Sequence, residues 1–364
     1  MHGIVDRERL QAEQRANRER QPARQSHPHE RRAQRQQHAE DHQSRFGPQL
    51  EPRAANHIDQ RPHDRVGAVC EHAERRQGQH RPLVCPKDRA ADQQYRMPSI
   101  GGLRYIEATP TGAASSLRPR GTLVLIHAFP LNARMWEPQL SLAEHGWRVI
   151  APQLRGFDGD ARDPGQSVDD YAGGVIDLLD GLHVTEAVIG GLSLGGYVTF
   201  ALFRHAPRYF RGMVLADTRP QADTPEGVDG RRKMLTLVRE KGAQAVADEM
   251  IPKLLGESTK AGPPELAARV EELVLASSKD AIEGAIRALM TRPDSTPLLP
   301  SIHCPTLIIV GEEDTLTPPP LSRGMHEAIA GSELVTLPGA GHLASLEQPG
   351  AFNAALARFL THRV

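Results

Sequence analysis

Cysteine is scarce: only Cys70, Cys85 and Cys304 occur in 364 residues. Two of them lie in the first 96 residues and the third just ahead of an expected strand, so they make no disulfide framework. Cys304 then reads as a small buried hydrophobe rather than a nucleophile, and His303 beside it as structural. The histidines show no zinc-ligand spacing, and no metal is expected. Long apolar runs are missing too. Nothing approaches the roughly 20 residues of a membrane span, and no apolar segment of secretory type opens the chain. These gaps argue against a disulfide scaffold, a zinc module and a membrane-spanning protein, and a soluble, cytoplasmic protein is expected.

Residues 1–96 lack more. They hold a single lysine, Lys87, and no apolar run long enough to form one face of a core. Without such a face the segment cannot offset an ordering cost of roughly 1–2 kcal/mol per residue, so a disordered Arg, Gln and His-rich extension is expected there. Its 19 Arg and Lys against 14 Asp and Glu leave 97–364 with a net charge of −6, a split that the total of −1 conceals. Acidic residues interleaved with the arginines weaken any phosphate-attracting field, which argues against a nucleic-acid partner, and they are foreign to a transit peptide. Foldable sequence begins almost at once after Met97, and that residue is the expected natural start.

From there strand and helix patterns alternate. Strands are expected at 103–107, 122–127, 147–152, 187–192, 212–217, 306–311 and 333–337, several of them continuous apolar runs as in the interior of a parallel sheet. Helices are expected at 133–145, 167–182, 197–205, 322–330 and 349–362, with Ser167 as a cap and Asp169 and Asp170 in the first turn that follows it. Such alternation predicts an α/β fold with a mostly parallel, doubly wound sheet. The pattern breaks at 219–299, where four helical stretches, around 231–240, 244–255, 265–276 and 280–290, follow one another with no strand. Helices placed between two parallel strands emerge at the strands' carboxyl ends, so a helical lid is expected there. The expected organisation is an extension at 1–96, a first core part at 97–218, a lid at 219–299 and a second core part at 300–364.

Chemistry concentrates at 187–205, where a strand pattern gives way to a helix pattern across Gly191-Leu192-Ser193-Leu194-Gly195. In a G-x-S-x-G turn the serine is forced into a strained conformation, and its hydroxyl projects clear of both elements at the positive end of the helix. That hydroxyl needs a base to act as a nucleophile at neutral pH. His342 follows the last strand in Gly339-Ala340-Gly341-His342 and can reach over the sheet edge, whereas His127, at a strand end before an apolar loop, reads as loop-shaping. The base needs a carboxylate to hold its tautomer. Asp314, in the turn Gly311-Glu312-Glu313-Asp314, is the stronger candidate; Asp217, also at a strand end, is its rival. A developing oxyanion needs N–H donors, and the amides of Leu194 and Phe129 are placed to give them. Pro130 has no N–H and is a candidate for a cis bond.

The order Ser193, Asp314, His342 with HAFP upstream resembles the α/β-hydrolase superfamily, and within it lidded serine hydrolases of the 3-oxoadipate enol-lactonase and small carboxylesterase group. The motifs HGFP, GLSMGG, GxxDxxxP and GHxxxxExP of that group stand here as HAFP, GLSLGG, GEEDTLTP and GHLASLEQP. The resemblance covers about residues 100–362. It implies Ser193 as nucleophile, Asp314 as acid, His342 as base, and Phe129 and Leu194 as oxyanion donors, with no cofactor. It also implies a small-molecule ester, thioester or lactone as substrate. Two alternatives share the fold: a perhydrolase or acyltransferase on the same triad, and a ligand-binding member without turnover. Ala128 departs from the group's glycine, and Gln153 from the aspartate of its D-x-R-G stretch.

Overall fold

The computed structural model describes residues 97–110, 119–160 and 162–364. The extension expected at 1–96 lies outside the described residues. Eight strands form one sheet: β1 (Ser99–Ile100), β2 (Leu103–Ala108), β3 (Gly121–Ile126), β4 (Trp147–Pro152), β5 (Ala187–Leu192), β6 (Phe210–Ala216), β7 (Thr306–Gly311) and β8 (Glu333–Leu337). Their spatial order is β1-β2-β4-β3-β5-β6-β7-β8. Every neighbouring pair from β4 to β8 is parallel, and β1 and β2 run antiparallel along one edge. The class read from the alternation, a mostly parallel α/β sheet, is the one observed.

The sheet is covered on both faces because its side chains alternate. Met213 and Leu215 of β6 and Ile308 of β7 pack with Phe200, Phe203, Met325 and Ile329 on one side. Val214, Ala216, Leu307 and Ile309, their immediate neighbours, join the larger cluster on the other. β5 is buried along its whole length and lies between β3 and β6, so the element that carries Ser193 is held on both edges.

Nine α-helices complete the described chain: α1 (Val168–Gly181), α2 (Leu194–His205), α3 (Pro225–Leu254), α4 (Glu257–Lys260), α5 (Glu265–Leu275), α6 (Lys279–Thr291), α7 (Pro319–Ala328), α8 (Ala344–Glu347) and α9 (Pro349–His362). Ser167 caps α1 reciprocally with Asp170, each side chain accepting the other's amide. α3 to α6 follow one another between β6 and β7, and α3 breaks at Gly242 (φ 77°, ψ −169°), inside the gap that the sequence leaves between its first two helical stretches there.

Three of the local differences between expectation and structure have a clear physical reason. The helix expected at 133–145 is instead a run of 3-10 turns, Ala133–His145, with Pro138 inside it. Proline removes an amide donor and crowds the preceding turn, so an apolar periodicity alone does not secure α geometry. β1 has no counterpart among the expected strands. It pairs with β2 across the turn at Gly101 and Gly102, both at positive φ, a tight-hairpin signal that two-residue strands make easy to overlook. α7 starts at Pro319, three residues before its expected start, because proline fits the first helical turn.

Candidate active site

The turn that carries Ser193 is tightly packed. Ser193 sits between β5 and α2 at φ 55°, ψ −111°, a region non-glycine residues rarely occupy. Its backbone is pinned on both sides: its amide donates to the Ala216 carbonyl at 3.0 Å, and its carbonyl accepts the Gly196 amide at 2.9 Å and the Thr218 hydroxyl at 3.0 Å. Gly195 allows this closeness, since a Cβ there would collide with the Ile126 carbonyl oxygen. The strain is thus held by the strand ends of β3 and β6.

His342 lies in the loop between β8 and α8 and is buried at 2% exposure. Its Nδ1–H donates to Asp314 Oδ2 at 2.9 Å. Asp314, after β7, is fully engaged: Oδ1 accepts the amides of Leu316 (2.8 Å) and Thr317 (2.9 Å), and Oδ2 accepts the Thr317 hydroxyl at 2.6 Å. Burial alone would raise this carboxyl, but the adjacent imidazole and the bonds from His342 and Thr317 outweigh it and hold the pKa at about 2. An ionised carboxylate on Nδ1 leaves Nε2 as the ring's acceptor. Ser193 and His342 line one cavity of about 540 Å³, together with Phe129, Met234, Leu237 and Met250.

The other candidates fall into place around this pair. Asp217, at the end of β6, has φ 42° and is fully buried; its Oδ1 accepts the Gly311 amide at 2.8 Å, while Oδ2 has no partner among the described residues. Burial and the nearby Asp314 charge push its pKa well up from the usual carboxylate range. His127 bridges two loops: Nδ1–H donates to the Ala128 carbonyl at 3.0 Å, and Nε2 accepts the Leu154 amide at 3.2 Å. Its burial drives the imidazole down to about 4.

Phe129 precedes Pro130 across a cis peptide bond. Outside helices and strands, neither its amide nor that of Leu194 donates to an acceptor among the described residues. Ala128 donates to the Met135 sulfur at 3.2 Å, and Gln153 accepts the Ala133 amide at 3.0 Å, so these two departures tie the loops after β3 and β4 to the 3-10 turns.

Two supporting residues were not singled out in the sequence, though both stand in quoted motifs. Thr317 braces Asp314, as described. Glu347 clamps the loop of His342: Oε1 accepts the Gly341 and Leu343 amides at 2.9 and 3.0 Å, and Oε2 accepts the Gly256 amide at 2.8 Å. The His342 amide itself donates to the Leu254 carbonyl at 3.0 Å, which joins the loop to the last residue of α3.

A family model described as "Alpha/beta hydrolase family" matches residues 123–355. This chain belongs to the alpha/beta hydrolase family. Among curated alpha/beta hydrolase relatives, 3-oxoadipate enol-lactonase 2 of Acinetobacter baylyi is 27% identical over 238 residues, covering 65% of this chain and 87% of that protein. A putative non-heme chloroperoxidase of Synechocystis is 31% identical over 254 residues, 65% of this chain and 90% of its own length. Among solved structures, a thermophilic esterase from Thermogutta terrifontis superposes with a TM-score of 0.67 at 34% identity, over 73% of this chain and 97% of that one. Hydrolase activity on small molecules accords with this family and these neighbours. No helix among the described residues is long and apolar enough to cross a membrane.

Proposed function

We propose that the chain is a serine hydrolase that cleaves a carboxylic ester, thioester or lactone through an acyl-enzyme. The observation that carries this reading is the 2.9 Å bond from His342 to Asp314 in a histidine that shares its cavity with the strained Ser193. In the proposed reaction His342 Nε2 takes the proton of Ser193 Oγ as Oγ attacks the carbonyl carbon. The amides of Phe129 and Leu194 receive the oxyanion. The imidazolium, steadied by Asp314, then passes its proton to the leaving group. Water, deprotonated by the same imidazole, attacks the acyl-enzyme and releases the acid and the serine. Helices α3 to α6 act as a lid, and Met234, Leu237 and Met250 give the cavity its apolar part.

The names of the esterase and enol-lactonase relatives favour acyl chemistry. The test is turnover of a panel of p-nitrophenyl esters and lactones, with and without a fluorophosphonate probe. Turnover that stops as Ser193 becomes labelled is the expected result; a protein that neither turns over nor takes up the probe removes the proposal. The chloroperoxidase relative supports a second reading, in which peroxide replaces water and the acyl-enzyme yields a peracid. Product analysis with both acceptors present separates the two.

A further inference from the structure

Three arginines converge on one carboxylate beside the cavity. Arg219 donates to Asp223 Oδ1 at 2.7 Å, Arg292 to the same oxygen at 2.8 Å, and Arg231 approaches Oδ2 at 3.3 Å. The Asp223 side chain is only 2% exposed. Burial opposes its ionisation, but the guanidiniums outweigh burial and hold its pKa at about 2. One negative charge against three positive ones leaves a surplus of positive charge in this wall.

Arg292 spends the donors of its two terminal nitrogens inside the protein. They go to the Leu289 and Gln221 carbonyls and to Asp223, and its guanidinium stacks 4.2 Å from the centre of the Tyr197 ring. Arg219 and Arg231 differ. Each lines the cavity of Ser193 and His342, and each meets Asp223 through one nitrogen. Arg219 Nε, like Arg292 Nε, is buried with no partner among the described residues, but of the two residues only Arg219 lines the cavity. Of the other charged residues lining the cavity, Glu249 is paired with Lys253, so Lys233 adds to the surplus. The cluster is anchored next to the nucleophile, because Arg219 directly follows Thr218, whose hydroxyl holds the Ser193 carbonyl. Positive charge in a partly desolvated wall is unfavourable until an anion meets it.

We propose that this cavity takes a substrate bearing an anionic group apart from its scissile carbonyl, held by Arg219 and Arg231 with Lys233 in support. This deepens the acyl-transfer reading and rests on it. Guanidinium forks suit carboxylate and phosphoryl oxygens alike, so both chemistries enter the test.

Three methyl esters of matched length serve as substrates: monomethyl glutarate, methyl 4-phosphonobutanoate and the neutral methyl 4-carbamoylbutanoate. For the wild type, kcat/KM for at least one anion exceeds that of the amide by about tenfold or more, the usual worth of a charge-assisted hydrogen bond. The anion that gains identifies the chemistry. Arg231→Gln leaves Asp223 two arginines to hold the fold, and it lowers the anion-to-amide ratio about fivefold or more, while Arg231→Lys retains most of it. Equal rates on all three esters, or a ratio unmoved in both Arg231→Gln and Arg219→Gln, overturn the anion subsite and leave ester hydrolysis standing. Calorimetry on Ser193→Ala with glutarate, 4-phosphonobutanoate and glutaramide needs no turnover. Binding of an anion but not of the diamide supports the subsite even if no ester is hydrolysed, and binding of neither anion overturns it.

Discussion

Asp217 and Asp314 follow the adjacent parallel strands β6 and β7, and of the two it is Asp314 that hydrogen-bonds His342. Asp217 is turned instead to the Gly311 amide, and burial and the Asp314 charge raise its pKa. The substitution Asp314→Asn therefore removes the charge that stabilises an imidazolium, and a fall in kcat on the order of 10⁴ is expected. Asp217→Asn is nearly isosteric and keeps an acceptor for Gly311, so activity within about tenfold of wild type is expected. Steady-state kinetics of both variants on one ester decide the matter, and a reversal of their effects would reassign the acid.

Removing the Ser193 hydroxyl separates chemistry from strain. Ser193→Ala keeps the φ of 55° and loses the proposed nucleophile, so a fall in kcat of roughly 10⁴- to 10⁶-fold with little change in unfolding temperature is expected. Ser193→Gly also loses the nucleophile but relieves a conformation that costs of order 1–3 kcal/mol, against about 0.5–1 kcal/mol for the added freedom of glycine. Thermal unfolding of the two variants is expected to rank the glycine form higher; an equal or lower midpoint would mean that the turn stores no strain.

His127 gives the fold a defined acid limit. Its imidazole falls from 6.5 to about 4 because burial penalises the charged form. A depressed folded value means that stability is complete above pH 6.5 and drains away as pH falls through 4, since the unfolded chain takes up the proton first. The loss amounts to about 3 kcal/mol across that window. Denaturant unfolding at several pH values is expected to show this slope in the wild type and a flatter one in His127→Gln. Parallel slopes would place the acid sensitivity elsewhere.

Gly195→Ala tests the closeness of the turn. The new methyl meets the Ile126 carbonyl oxygen, which is backbone and cannot rotate away. Overpacking of this kind costs about 1–3 kcal/mol and displaces Ser193, so a lower unfolding temperature and a loss of esterase activity are expected together. Activity kept alongside full stability would show that α2 can shift without disturbing Ser193.

Legibility followed the range of the interactions. β3, β5 and β7 were readable because interior parallel strands are continuous apolar runs, and the break in α3 because Gly242 lies between two helical periodicities. The glycine-marked turns around Ser193, Asp314 and His342 stood out one at a time, whereas the choice between Asp217 and Asp314 depended on which way each carboxylate turned from its strand. The ladder of Asp223 and Arg292 spans 69 residues and has no local signature at all. Thr317 and Glu347 sat inside recognised motifs, yet their roles as braces come from amides brought to them by the fold.

The amide of His342 hangs from the carbonyl of Leu254, where the long helix that walls the cavity ends. The segment of that helix after Gly242 is therefore tied to the backbone of His342 by one hydrogen bond that does not pass through the strands beneath. One element thus both lines the chamber and anchors the loop that carries the imidazole.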